Sequence, residues 1–128
     1  MKLHCLLFAA AATLAAETAH ADGDAVAGAV VFKKCAARHT ATEPANKVGP
    51  TLMGVIGRPV ASVEGYAYTP AMKAFGEGGK VWDETLLTEY LPNPKVLVKG
   101  TKMAFPGLKN PDDVANVIAY LKNPAAAQ

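Results

Sequence analysis

Cys35, Arg38 and His39 fall at i, i+3 and i+4, a spacing that places all three side chains on one face of a helical turn. A thiol and an imidazole so placed can pair as nucleophile and base, share a metal, or take up haem. In the haem-attachment pattern C-x-x-C-H, two thiols bond the vinyl groups while the His on the same turn ligates the iron. The segment here reads Cys35-Ala36-Ala37-Arg38-His39, so one thiol and the imidazole remain, and a guanidinium stands where the second thiol belongs. By itself Cys-x-x-x-His is a common chance pattern, and a lone His is usually only a polar side chain.

The N-terminal residues narrow these options. Met1-Lys2-Leu3-His4 carries one positive charge, Cys5 to Ala16 is an apolar run, and Ala19-His20-Ala21 is a small-x-small cleavage site. The run falls below the ~18 residues that a membrane span needs, so residues 1–21 read as a signal peptide cleaved after Ala21. The domain is then 22–128, exported to the periplasm and large enough for one modest core. Cleavage also removes His4, Cys5 and His20, leaving Cys35 as the one cysteine and His39 as the one histidine. No disulfide framework or Cys/His zinc site can be assembled from those. A net charge of +2, from 13 basic and 11 acidic residues, gives no basic run for nucleic acid.

Three helices are expected to do the positioning. Asp24 caps the first, Ala25 to about Cys35, whose apolar side would be Val26, Ala29, Val30 and Phe32. Gly28 inside it suggests a close approach by another backbone or ring. The second starts at Asp83-Glu84-Thr85, carries Leu86, Leu87, Tyr90 and Leu91, and stops at Pro92-Asn93-Pro94. The third has Asn110 as cap, Pro111 at its first position and Asp112 and Asp113 in its first turn, with Val114, Val117, Ile118 and Leu121 buried. Between Thr40 and Lys80, glycines and prolines leave room for one short helix near Pro70 to Phe75. So long a loop with this much Val, Leu, Met, Ile, Tyr and Phe should wrap around something apolar. The Ala-rich tail at 125–127 reads as frayed.

With these elements in order, the mature chain resembles the class I cytochromes c, small soluble carriers of the bacterial c2 and mitochondrial type. The resemblance rests on Gly28 and Phe32, Asn46-Lys47-Val48-Gly49-Pro50, Val55-Ile56-Gly57-Arg58, and Trp82. It continues through Tyr90-Leu91-Pro92-Asn93-Pro94-Lys95, Gly100-Thr101-Lys102-Met103-Ala104-Phe105 and Ala119-Tyr120-Leu121-Lys122. It implies an all-α cytochrome c fold, with three main helices, short ones and long loops wrapped around one haem c. His39 would be the proximal iron ligand, its other ring nitrogen donating to the Pro50 carbonyl, and Met103 the distal ligand. Without the Gly100-Thr101-Lys102 context, Met53 and Met72 would be equal candidates. Cys35 would supply a single thioether. Arg58, Tyr68 and Trp82 match positions that hydrogen-bond the haem propionates, and Tyr90, Thr101 and Phe105 match others around the cofactor. Gly28 and Tyr120 match the crossing of the terminal helices.

The implied activity is one-electron shuttling, not enzymatic turnover. Lys33, Lys34, Lys47, Lys95, Lys99 and Lys102 flank the segments that would surround the haem edge. Acidic residues such as Asp83, Glu84, Asp112 and Asp113 sit at helix starts, so the charge can be strongly dipolar. Such a surface suits acidic docking faces on membrane redox complexes: a quinol-cytochrome c oxidoreductase, a terminal oxidase or a photosynthetic reaction centre. A soluble monomer that spans no membrane is expected.

Arg38 departs from the family pattern, because a guanidinium forms no thioether. One reading keeps the haem through one link and both axial ligands; some eukaryotic relatives carry one link, but through the other Cys. A second is a remnant poor in haem or holding it non-covalently, with weak peroxidase activity or no redox role. A third is that the natural chain has Cys at 38, since Cys and Arg codons can differ by one base. A Cys35/His39 thiol enzyme has the weakest support, because no orienting third residue or oxyanion site accompanies the pair.

Overall fold

The computed structural model describes residues 23–128, so the signal peptide expected at 1–21 and its cleavage site lie outside the described residues. Five α-helices follow one another: α1 Ala25–Phe32, α2 Pro70–Phe75, α3 Glu84–Tyr90, α4 Pro94–Leu97 and α5 Pro111–Lys122. A 3₁₀ turn, Pro124–Ala127, closes the chain. Among the described residues there is no strand, only one antiparallel bridge between Pro59 and Val81.

Local chemistry sets the helix starts. The Asp24 carboxylate accepts from Val26 and Ala27 N–H, Asp83 from Leu86 N–H, Thr69 from Met72 N–H and Asn110 from Asp112 N–H. Each satisfies an amide that the first turn leaves without a partner, worth about 1 kcal/mol per cap. Pro92-Asn93-Pro94 ends α3 as read from the sequence, but Pro94 also opens α4, the position where its missing N–H costs nothing. The 125–127 tail is not frayed: Asn123 and Pro124 turn it back so that the 3₁₀ turn packs on α1.

The apolar side read for α1 needs correction. Gly28, Val31 and Phe32 are buried, whereas Val26 and Val30 are 58% and 60% exposed. The helix is apolar nearly all round, so periodicity could not select a face; the crossing with α5 selects it. A Cβ on Gly28 would lie 1.9 Å from the Asn116 carbonyl oxygen and 2.8 Å from Tyr120 Cβ. Asp24 N–H donates to Asn116 Oδ1 at 2.8 Å, and the Phe32 and Tyr120 rings stand 5.4 Å apart. Gly28→Ala should therefore cost about 2–4 kcal/mol, since the obstacle is backbone and cannot yield by a rotamer change. Gly78→Ala, at φ +83 with nothing within 4 Å, should cost only about 1 kcal/mol, and thermal unfolding of the two variants side by side separates packing from backbone strain.

On α5 the buried residues are the four expected, Val114, Val117, Ile118 and Leu121. On α3, Leu87 and Tyr90 are buried, with Leu86 and Leu91 half-buried beside them. The stretch from 40 to 80 holds one helix, α2, and its ends are stitched by backbone bonds: Gly57 N–H to Trp82 O, Trp82 N–H to Arg58 O and Val60 N–H to Lys80 O. Loop 100–110 is anchored where Gly107, at φ +111, fits against the Pro92 carbonyl and Leu108 N–H reaches Leu91 O at 2.8 Å. These loops, together with α2, α3 and α5, line one cavity.

Candidate functional site

Past Phe32 the chain continues in tight turns, with Cys35 N–H bonded to Phe32 O at 2.7 Å and both Arg38 and His39 N–H bonded to Cys35 O at 3.0 Å. That winding brings Cys35, Arg38 and His39 into the wall of a cavity of about 370 Å³. Loop 46–50 pins the segment from outside. Gly49 N–H donates to Arg38 O at 2.7 Å, the Lys47 ammonium to Ala36 O at 2.7 Å, and His39 Nδ1 lies 2.7 Å from Pro50 O. Gly49 has to be glycine here, because a Cβ would come within 2.3 Å of the imidazole Cε1.

The Pro50 carbonyl can only accept, so Nδ1 carries the proton and Nε2 keeps its lone pair. Burial pushes His39 below the ordinary imidazole range; the Pro50 bond opposes this, and the charges of Arg38, Arg58 and Lys47 add to it. A neutral imidazole with a free lone pair is competent to ligate a metal. Cys35 is a free thiol that burial pushes upward, with Lys34 and Arg38 pulling the other way. An activated nucleophile needs the reverse, so the thiol-enzyme reading loses its chemical basis.

Every other cofactor residue singled out from the sequence also reaches this cavity. Pro50, Arg58 and Tyr68 line one stretch of wall, Trp82 and Tyr90 another, and Thr101, Met103 and Phe105 a third. Thr101 Oγ1 accepts from Met103 N–H at 3.2 Å and so holds the loop carrying the thioether. Trp82 packs on Tyr90 at 4.8 Å and on Phe75 at 5.9 Å. Neither the indole N–H of Trp82 nor the hydroxyl of Tyr90 has a hydrogen-bond partner among the described residues, and neither is sealed from the cavity. Burial pushes the Tyr90 hydroxyl up to about 12, which keeps it a donor. Arg58 donates to Met53 O at 3.2 Å and is itself held below its ordinary range by burial, with Tyr68 opposing. A carboxylate beside Arg58 would relieve that desolvation.

The three candidate methionines separate. Met53 is 48% exposed and outside the cavity, while Met72 on α2 and Met103 both line it. Tyr66, Thr69 and Ala61 line it too, although no sequence motif pointed to them. Tyr66 donates to Val48 O at 3.0 Å and meets Tyr68 edge-on at 4.8 Å; the i, i+2 aromatic pair was the available signal. Of the six lysines read as docking residues, Lys34 and Lys102 stand at the cavity wall. Lys33, Lys47, Lys95 and Lys99 are exposed elsewhere, Lys47 with its ammonium on the Ala36 carbonyl. No Asp or Glu lines the cavity. Among the described residues there is no group of three His, Cys, Asp or Glu side chains for a bare metal ion, and no helix long and apolar enough to cross a membrane.

No protein-family model matches the chain, but individual relatives do. It is 48% identical over 125 residues to cytochrome c-554 of Methylosinus trichosporium, a match covering 94% of this chain and 92% of the relative. The chain belongs to the cytochrome c family. Cytochrome c2 of Afifella marina is 47% identical over 78% of this chain and 82% of its own. Among solved structures, cytochrome cH of Methylobacterium extorquens matches with a TM-score of 0.70 and 44% identity, covering 78% of this chain and 98% of that one. The family is one of haem c electron carriers, not enzymes, and the helical fold expected from the sequence is its fold.

The cavity suits that cofactor. It falls within the ~300–1,000 Å³ of small-molecule sites, and its aliphatic and aromatic walls suit a flat apolar ring. A neutral imidazole and two thioethers offer iron ligands, while Arg58, Tyr68 and Trp82 offer donors to the acid groups of haem. One thiol, Cys35, is present for covalent attachment.

Proposed function

We propose that this cytochrome is a periplasmic carrier of single electrons, holding one haem through His39 and Met103 as axial ligands and one thioether from Cys35. When bound, haem iron cycling between its ferric and ferrous states supplies the redox chemistry. The chain's own residues do the rest. Pro50 fixes the His39 tautomer, Gly49 leaves room for the ring, Thr101 holds the Met103 loop, Arg58, Tyr68 and Trp82 meet the propionates, and Tyr90 and Phe105 flank the cofactor. Carrying the reading is the convergence of His39, Met103 and Cys35 on one apolar cavity, with His39 bonded to Pro50 at 2.7 Å.

In this reading residues 1–21 are the export signal. The match to cytochrome c-554 covers more of the chain than residues 23–128 contain, so it extends into that leader. The mature protein is a monomer that docks through Lys33, Lys34, Lys47, Lys95, Lys99 and Lys102 on acidic faces of membrane complexes, taking electrons from a quinol-oxidising complex and passing them to a terminal oxidase or reaction centre. The protein exported by a host with haem-attachment machinery should give a denatured pyridine haemochrome spectrum with its band displaced from the two-thioether position, and an intact mass raised by one haem. An unchanged polypeptide mass would leave a non-covalent holder of haem or a haem-poor remnant.

A further inference from the structure

Arg38 is more than a missing thiol, since its charge already acts on both Cys35 and His39. Its position gives it a role of its own. The side chain is half-buried in the cavity wall, one residue from His39, and its guanidinium has no hydrogen bond or ion pair among the described residues. No carboxylate lines the cavity to offset it. Three other cations share the wall, and each is compensated or loosely held. Arg58 is bonded to the Met53 carbonyl and suits an acid group of the cofactor, while Lys34 and Lys102 are exposed, flexible and screened by water and salt. Arg38, by contrast, is half-buried, and its backbone is tied down, N–H to Cys35 O at 3.0 Å and C=O from Gly49 N–H at 2.7 Å, which keeps the root of the side chain beside His39. A guanidinium also keeps its charge at every accessible pH.

We propose that Arg38 is a potential-setting residue, whose fixed positive charge beside the proximal histidine favours the ferrous over the ferric cofactor. The inference rests on the haem reading above. One electron delivered by a reduced haem donor lowers the charge of the ferric cofactor by one and leaves the guanidinium unchanged. A nearby cation therefore interacts less unfavourably with the reduced form than with the oxidised one. The residue that forfeits one thioether thus makes the carrier a stronger electron acceptor than it would be with a neutral side chain at 38.

The test compares the haem-loaded natural chain with Arg38→Gln, Arg38→Leu and Arg38→Lys by redox titration against a dye of fixed potential, at low and high salt. At the poise that half-reduces the natural protein, both neutral variants should show a ferrous-to-ferric ratio lower by roughly three- to tenfold, while Arg38→Lys stays near the natural value. The difference should shrink at high salt. Equal ratios in all four proteins, or Arg38→Lys behaving like the neutral pair, overturn the proposal while leaving the haem reading intact. If both neutral variants fail to hold haem while Arg38→Lys holds it, the residue is an anchor and the proposal falls. Failure of the natural chain itself to take up haem under the same export conditions removes both readings together.

Discussion

Arg38→Cys is expected to restore the second covalent link: exported with haem-attachment machinery, the variant should give a pyridine haemochrome band at the two-thioether position with the same single-haem mass increase. The backbone is already shaped for it. Cys35 and Arg38 lie on one turn, bonded Arg38 N–H to Cys35 O, and the Gly49 amide and Lys47 ammonium fix the carbonyls of Arg38 and Ala36 without using any side chain at 38. The exchange should also raise stability by about 1–2 kcal/mol, a modest gain because the new link closes only the short 35–38 loop of the unfolded chain, seen as a higher midpoint in guanidinium. An unmoved band would show that residue 38 does not reach a vinyl group, and the single link would then be a property of the fold itself. Because this variant changes charge and attachment together, it cannot report on the potential; the neutral, thiol-free exchanges serve there.

Helix positions were legible in the sequence because caps and prolines act locally. Asp24, Asp83 and Asn110 mark starts, and α5 buries the four residues its periodicity names. The face of α1 was not legible, since a uniformly apolar helix carries no directional signal and only the Gly28 crossing with Asn116 and Tyr120 orients it. Family resemblance named Gly28 and Tyr120, but which α1 neighbours follow Gly28 into the core depends on the crossing geometry. Most site residues could be named because they fall in short motifs kept in family order, and Tyr68 because it matches a single family position between such motifs. Tyr66, Thr69 and Ala61 fall in no such motif, and they reach the cavity only through the path of a loop whose ends are tied by the Gly57, Val60 and Trp82 bonds. In the sequence Pro94 signals only a stop, because a proline breaks one helix and starts the next by the same lack of an N–H.

Methionine exchange should give the largest change in redox behaviour. Two thioethers line the cavity, and they are held differently. Met72 is inside α2, its N–H on Thr69 Oγ1 and its carbonyl accepting from Gly76 N–H, so its side chain starts from a rigid helical turn in the shell around the cavity. Met103 lies on a loop with no regular structure, fixed by Thr101 before it and by the Gly107–Leu108 anchor behind it, an arrangement that serves to present one side chain. Met103→Ala is therefore expected to abolish the sulfur-to-iron charge-transfer absorption of the ferric protein. It should also lower the reduction potential by on the order of a hundred millivolts or more, inside the ~0.8 V span over which axial ligands tune haem. Met72→Ala should leave the absorption in place and cost mainly packing, about 2–4 kcal/mol. A coordination position opened by losing Met103 also admits small molecules, so peroxide-dependent oxidation of a dye should rise in Met103→Ala and stay near background in the natural chain. The reverse pattern, with absorption lost in Met72→Ala and kept in Met103→Ala, would move the distal ligand to α2. Peroxide turnover already high in the natural protein would favour an open iron site and a peroxidase over a carrier.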